Sequence, residues 1–271
     1  MNLSDIGPVV LVGAGKMGLA LARGWIAGGL PPERLVLCDT QPSVAAVEFA
    51  EHHGIRLLLS PVGVLTHVLV IAVKPQVIYE VMAEIQPVVG SYTLVLSIAA
   101  GVSLVALSEG LMTERVIRTM PNTPAQIGRG ITGAVGLGIT DEDRATANAL
   151  LSAAGEVMWF DDETRIDAVT AVSGSGPAYV FYMVEALAAA ARKQGFDEEQ
   201  AMQLARATVT GAAALMDADP TPASTLRENV TSPKGTTAAA LNVLMAPDGL
   251  EPLMDRAVAA ARRRSEELGR A

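Results

Sequence analysis

Two hydrophobic patterns alternate over the first 120 residues of the chain. Residues 9–12, 35–38, 55–59, 68–73, 93–98 and 116–119 are short runs made almost entirely of Val, Leu and Ile, the pattern of strands buried on both faces of a parallel sheet. Residues 16–27, 42–53 and 76–85 instead carry apolar side chains at helical spacing. Gly28-Gly29 ends the first of these helices, and Pro31-Pro32 prevents its continuation. Strands alternating with helices, joined by right-handed crossovers, predict a doubly wound, mainly parallel α/β sheet. The pattern changes near Asp161. From Arg165 onward no β-type run occurs, and Ala-rich helical stretches cover 179–194, 198–216, 237–245 and 252–268, with Gly and Pro breaks between them. The expected organisation is a sheet domain over 1–160 followed by an all-helical domain over 161–271.

Composition narrows the class. Half the residues are hydrophobic and 18% are charged, which excludes disorder. A net charge of −9 argues against a nucleic-acid binder that works by neutralising phosphates. The lone cysteine, Cys38, has no partner for an intrachain disulfide, and no Cys/His group has metal-ligand spacing. No charge lies between Glu84 and Glu109, but Pro87, Gly90 and Gly101 punctuate that stretch, so it reads as a buried strand and turns, not a membrane span. A soluble protein of a reducing compartment, the cytoplasm, is expected, with no membrane or nucleic-acid partner. Small residues crowd the C-terminal helices, and a helical domain of that size is rarely self-sufficient. Burial against a second copy of the chain is therefore expected.

The first predicted strand runs into Gly13-Ala14-Gly15-Lys16-Met17-Gly18, which opens a helix. In that setting G-x-G-x-x-G is a Rossmann-type dinucleotide cradle. The first glycine permits the turn, the second lets backbone approach a pyrophosphate, and the third lets helix pack on strand, with the helix N-terminus facing the phosphates. Asp39 closes the second strand roughly 20 residues further on, where a carboxylate accepts hydrogen bonds from the adenosine ribose. The alternative role for Asp39 is an N-cap ahead of Pro42. No Arg or Lys follows before Arg56, although Thr40 and Ser43 remain as donors to a phosphate, so the cofactor is NADPH or NADH with a tilt toward NADH. Other loops at the carboxyl ends of the strands should meet the same cofactor: Ala72-Val73-Lys74-Pro75, Ser97-Ile98-Ala99-Ala100 and Met120-Pro121-Asn122.

The three histidines, His52, His53 and His67, lie away from that edge, so none is placed as the acid–base of a hydroxy-acid dehydrogenase. A C=N substrate fits better, since a protonated iminium is already electrophilic. Two small-residue segments of the helical domain, 173–177 around Ser173 and 229–237 with Lys234 and several hydroxyls, read as loops feeding helix N-termini, which suits a carboxylate.

V-G-A-G-K-M-G at 12–18, A-V-K-P-Q at 72–76, M-P-N-T-P at 120–124, I-D-A-V-T-A-V-S-G-S-G-P-A-Y at 166–179 and N-V-T-S-P-K-G-T-T at 229–237 together resemble the pyrroline-5-carboxylate reductase family, over almost the whole chain. The resemblance implies NAD(P)H-dependent reduction of 1-pyrroline-5-carboxylate to L-proline. It also implies a homodimer built through the helical domain, or a larger ring of such dimers. By resemblance, Asn229, Thr236 and Thr237 contact the substrate, with Thr237 assigned the catalytic role, and Glu163 lies near it. Ser173, Ser232 and Gly235 complete the expected substrate set. Val12, Gly13, Ala14, Gly15, Lys16, Met17 and Gly18 form the cofactor loops with Asp39, Thr40, Ala72, Val73, Lys74, Pro75, Ile98, Ala99, Ala100 and Asn122. Two positions depart from the family pattern. Lys234 replaces a common glycine, and Asp39-Thr40 stands where many members have a neutral polar residue followed by Arg. Competing readings are a β-hydroxyacid dehydrogenase, for which Lys193 and Lys234 are poorly placed, and a non-enzymatic dinucleotide sensor.

Overall fold

A computed structural model describes residues 1–269. The chain forms two compact units, one comprising Met1–Ser175 with the chain from Ala261 onward, the other Gly176–Ala260.

In the first unit the order is β1 (Val9–Val12), α1 (Lys16–Ala27), β2 (Leu35–Cys38), α2 (Val44–His53), β3 (Arg56–Leu58), β4 (Val68–Ile71), α3 (Ile78–Ile85), β5 (Leu94–Ser97), α4 (Leu104–Leu111), β6 (Val116–Met120), β7 (Gly130–Leu137), α5 (Asp141–Ser152), β8 (Gly155–Trp159) and α6 (Thr164–Val169). The sheet order is β3-β2-β1-β4-β5-β6-β7-β8. Every pairing is parallel except β6 with β7, so the doubly wound, mainly parallel arrangement is the one observed. Strands β1, β2, β4 and β5 are buried along their whole length. Their side chains enter two apolar clusters, one holding Leu11, Leu37, Val70 and Leu96, the other Val10, Val36, Leu69 and Val95. Alternate residues of each strand thus go to opposite faces, which is why these runs carry no polar residue until their ends. The indole of Trp25, on α1, donates to the Leu150 carbonyl at 2.8 Å inside one cluster.

Strands β7 and β8 and helix α5 are absent from the sequence reading. β7, G-I-T-G-A-V-G-L, is glycine-interrupted, and β8, G-E-V-M-W, alternates half-buried with exposed positions, so neither is a continuous apolar run. Helix α5 starts with a capping box in which Thr140 accepts from the Asp143 amide and Asp143 accepts from the Thr140 amide. The Asp143 carboxylate also pairs with Arg115. Burial pushes the Asp143 carboxyl up, but the bonds from Arg115 and Thr140 outweigh it and hold the carboxyl below its ordinary value of 3.8. A depressed folded value means stabilisation present above that ordinary value and lost as pH falls through the folded one. Asp143→Asn should therefore cost about 2 kcal/mol at neutral pH, because the half-buried Arg115 loses its counter-charge. Urea midpoints of the two proteins should converge at acid pH, and an equal gap at both pH values would refute the linkage.

The second unit contains α7 (Gly176–Lys193), α8 (Glu198–Ala218), α9 (Ala223–Asn229), α10 (Thr236–Leu244) and the first part of α11 (Leu250–Leu268). Its own buried apolar cluster consists of Ala188, Ala201 and Ala205. Phe181, Tyr182, Leu204, Leu215, Val243 and Leu253 are all exposed, far more apolar surface than a monomeric soluble unit shows. No helix among the described residues is long and apolar enough to cross a membrane.

Candidate active site

The glycine loop leaves β1 at the carboxyl edge of the sheet, between β2 and β4. Gly13 has φ +97°, and a Cβ there would come within 2.7 Å of the Ala72 carbonyl, so the turn and the approach to β4 both require glycine. A Cβ on Gly18 would lie 2.1 Å from the Gly13 carbonyl oxygen, which fixes this position as the close contact between helix and strand. Gly15 differs. It caps α1 with no side-chain bond to the helix, and a Cβ there would meet nothing within 4 Å. The space above Gly15 and the first turn of α1 is open, as a bound pyrophosphate requires.

That space belongs to a cavity of about 510 Å³ lined by Val12, Gly13, Gly15, Asp39, Thr40, Ala72, Val73 and Lys74, all predicted cofactor residues. Cys38, Gln41, Leu59, Pro61, Val77, Glu80, Val81, Glu84 and Ile85 complete the lining. The α3 residues were missed because the apolar periodicity of that helix reads only as its sheet-facing side. Val77, Val81 and Glu84 recur at helical spacing, and that was the available signal. Burial pushes the Cys38 thiol up to about 11, partly offset by Arg56, so it is a poor nucleophile.

Asp39 does not cap α2. Ser43 does, accepting from the Ala46 amide. The Asp39 carboxylate instead accepts from the Ala14 amide at 2.9 Å and, through its other oxygen, from the Gln41 amide at 2.8 Å. It is pinned between the glycine loop and its own turn. Ile98 donates its amide to Ile71, and Ala99 is buried with its amide on the Ser97 hydroxyl, which keeps this loop against the end of β4. The Asn122 side-chain oxygen accepts the Ile131 amide, a bond that ties the end of β6 to β7.

Glu163 and Ser173 lie in the first unit, whereas Asn229, Ser232, Gly235, Thr236 and Thr237 lie in the second. One Glu163 oxygen accepts both the Leu104 amide at 2.7 Å and Arg118 at 2.8 Å, so this carboxylate caps α4 and balances a buried guanidinium. The segment around Ser173 is not a loop feeding a helix start. Residues Thr170–Gly174 form a π-helical turn joining α6 to α7, with the Ser175 amide bonded to the Thr170 carbonyl. Pro177 cannot donate to the turn behind it, and its ring crowds the carbonyl four residues back. A wider turn just upstream accommodates it without breaking the helix. Ser173 donates to Val169 and lines a separate, mostly apolar groove of about 250 Å³ with Ile131, Met158, Phe160 and Val172.

Segment 229–237 is the predicted turn into a helix. Gly235 caps α10 without a side-chain bond, its amide donates to Ser232, and a Cβ on it would strike the Ser232 hydroxyl. Thr231 closes the turn by donating to the Arg227 carbonyl at 2.6 Å. Lys234 adopts φ +60°, the left-handed conformation that glycine takes at no cost. Lysine in this conformation carries about 1 kcal/mol of strain.

Residues 163–268 match the family model described as pyrroline-5-carboxylate reductase dimerisation, and residues 8–101 match that of NADP oxidoreductase, coenzyme F420-dependent. The chain is 38% identical over 266 residues to pyrroline-5-carboxylate reductase of Vibrio alginolyticus, covering 96% of this chain and 97% of that protein. It belongs to the pyrroline-5-carboxylate reductase family. The Arabidopsis thaliana pyrroline-5-carboxylate reductase is 36% identical, with 95% of this chain and 94% of that protein covered. The solved Coxiella burnetii pyrroline-5-carboxylate reductase superposes with a TM-score of 0.88 at 33% identity, covering 97% of this chain and 98% of that one. A Plasmodium falciparum pyrroline carboxylate reductase with NADP bound superposes at 0.81 and 27% identity, over 97% and 98% of the two chains. The family places an oxidoreductase chemistry on this fold.

Proposed function

We propose that this chain reduces 1-pyrroline-5-carboxylate to L-proline at the expense of a reduced nicotinamide dinucleotide. The end-to-end relation to proteins bearing that name carries the reading, and the open cradle at Gly15 supports it. A reduced nicotinamide supplies the hydride that the imine carbon of the ring needs, the carbon that becomes C5 of proline, and a proton on the ring nitrogen completes the amine. The chain's own contribution is placement. The first-turn amides of α1 hold the pyrophosphate, and the Gly13 turn brings backbone against it. Gly235, Thr236 and Thr237 at the start of α10 hold the substrate carboxylate through amides and hydroxyls, with Asn229 and Ser232 beside them in the same unit. The chain acts as a cytoplasmic homodimer through its helical unit, which covers the exposed Phe181 and Tyr182 surface.

The direct test follows nicotinamide absorbance with the imine as substrate. Turnover is expected. Dinucleotide binding without turnover would favour a sensor instead. Thr237→Val removes one hydroxyl from the carboxylate site, worth about 2 kcal/mol or roughly 30-fold. That loss should appear in kcat/KM for the imine while the dinucleotide Kd stays within about twofold. An unchanged kcat/KM removes Thr237 from the site.

A further inference from the structure

We infer that this chain selects NADH over NADPH, and that Glu80 and Glu84 on α3 act with Asp39 as the residues that set the choice. The inference rests on the cavity at Gly15 being the dinucleotide site. It does not depend on which substrate is reduced.

Asp39, at the end of β2, stands where dinucleotide folds receive the adenosine ribose. A carboxylate here can usually swing aside for a 2′-phosphate, but Asp39 has little freedom to do so. Its two oxygens hold the Ala14 and Gln41 amides at 2.9 and 2.8 Å, so rotating it away would strand an amide of the glycine loop itself. The same carboxylate is thereby set to accept from ribose hydroxyls through its remaining lone pairs.

Helix α3 adds to this. Val77, the N-cap of this helix, and Val81 give the cavity an apolar wall, and Glu80 and Glu84, one helical turn apart, also line it. Three carboxylates therefore line one cavity. Lys74 is the cation among the lining residues, and it follows β4, two strands away from β2 in the sheet. Arg56, whose charge is felt at Cys38, begins β3 and does not line the cavity. Next to Asp39 stand Thr40 and Gln41, both neutral. A 2′-phosphate carrying about −1.5 to −2 charges at neutral pH would meet three carboxylates against a single lysine among the residues lining this cavity. An exposed carboxylate facing such a group across a wet cleft costs roughly fivefold in affinity, more where water is excluded. The three together predict a preference for NADH of about 100-fold or more.

The test is equilibrium binding by calorimetry on the full chain, with NADH and NADPH titrated separately and no imine present. NADH should bind at least about 100-fold more tightly at low salt. The gap should narrow as ionic strength rises from about 0.01 to 1 M, where the screening length falls from about 30 to 3 Å. Glu80→Gln with Glu84→Gln, both exposed, should tighten NADPH binding about 25-fold and leave NADH within about twofold. Asp39→Ser should tighten NADPH further while weakening NADH. Equal affinities in the wild type, or a double variant whose NADPH affinity does not move, would overturn the inference. A chain that prefers NADH but does not turn over pyrroline-5-carboxylate would leave the inference standing and defeat the proposed reaction. A chain that reduces the imine with both dinucleotides bound equally would do the reverse.

Discussion

Gly15→Val is expected to abolish dinucleotide binding, by about 100-fold or more, in a protein that still folds with wild-type stability. The two halves of that expectation have different sources. Gly15 has φ −72°, a conformation open to any residue, and an added Cβ meets no protein atom within 4 Å. The fold therefore has no need of glycine here. The space that the valine would occupy is the approach to the uncapped first turn of α1, where the pyrophosphate must come within hydrogen-bond distance of backbone amides. Displacing it by even an ångström forfeits those charge-assisted bonds. Calorimetric titration with NADH and thermal melting of the same sample would separate the two effects. Gly18→Val is the control with the opposite signature, since its Cβ would collide with the Gly13 carbonyl at 2.1 Å. It should lose stability as well as binding. If Gly15→Val still binds NADH normally, the cradle does not hold a pyrophosphate.

The second large effect is on stability. Arg118 sits on β6 with its side chain 7% exposed, 2.8 Å from Glu163 and 3.5 Å from Asp167. Its Nε is buried without a hydrogen-bond partner. Glu163 also accepts the Leu104 amide at the start of α4, and Asp167 accepts the Ser265 hydroxyl at 2.7 Å from the last turns of α11. One guanidinium thus balances two carboxylates that tie α4, α6 and the chain's C-terminal helix to the sheet. Removing it leaves two half-buried anions close together, so Arg118→Met should cost about 3–4 kcal/mol although its volume is nearly kept. Adding Glu163→Gln and Asp167→Asn should return most of that loss. The neutral amides still accept the Leu104 and Ser265 protons, and no unpaired charge remains. Denaturant unfolding of the single and triple variants measures both. A triple variant no more stable than Arg118→Met would show that packing, not charge balance, is what Arg118 supplies.

These tests fall on residues that were legible in the sequence to different degrees. Gly13, Gly15 and Gly18 announce themselves, because a dinucleotide turn needs glycine at fixed spacing just after an apolar strand. Val9–Val12 and Leu35–Cys38 were readable to the residue, since a strand buried on both faces tolerates nothing polar. β7 escaped notice because its glycines make way for neighbours. A Cβ on Gly133 would reach Val169 at 2.9 Å, and one on Gly136 would reach Ile139 at 2.3 Å. Those contacts exist only once the chain has folded. The same holds for Ser173, whose Gly-Ser-Gly-Pro surroundings have the composition of a loop but whose own backbone lies in a π-helical turn.

The sequence by itself determined the glycine cradle, the alternation that builds a parallel sheet, and the family, because local backbone demands and strand burial are written in residue type at short range. Only the tertiary structure decided what the charged side chains do. Asp39 pins the glycine loop instead of capping α2, Glu163 is spent on Arg118 and α4, and Glu80 and Glu84 line the same cavity as Asp39. A carboxylate's role depends on which amides, cations and cavities lie within a few ångströms of it, and residues distant along the chain supply them.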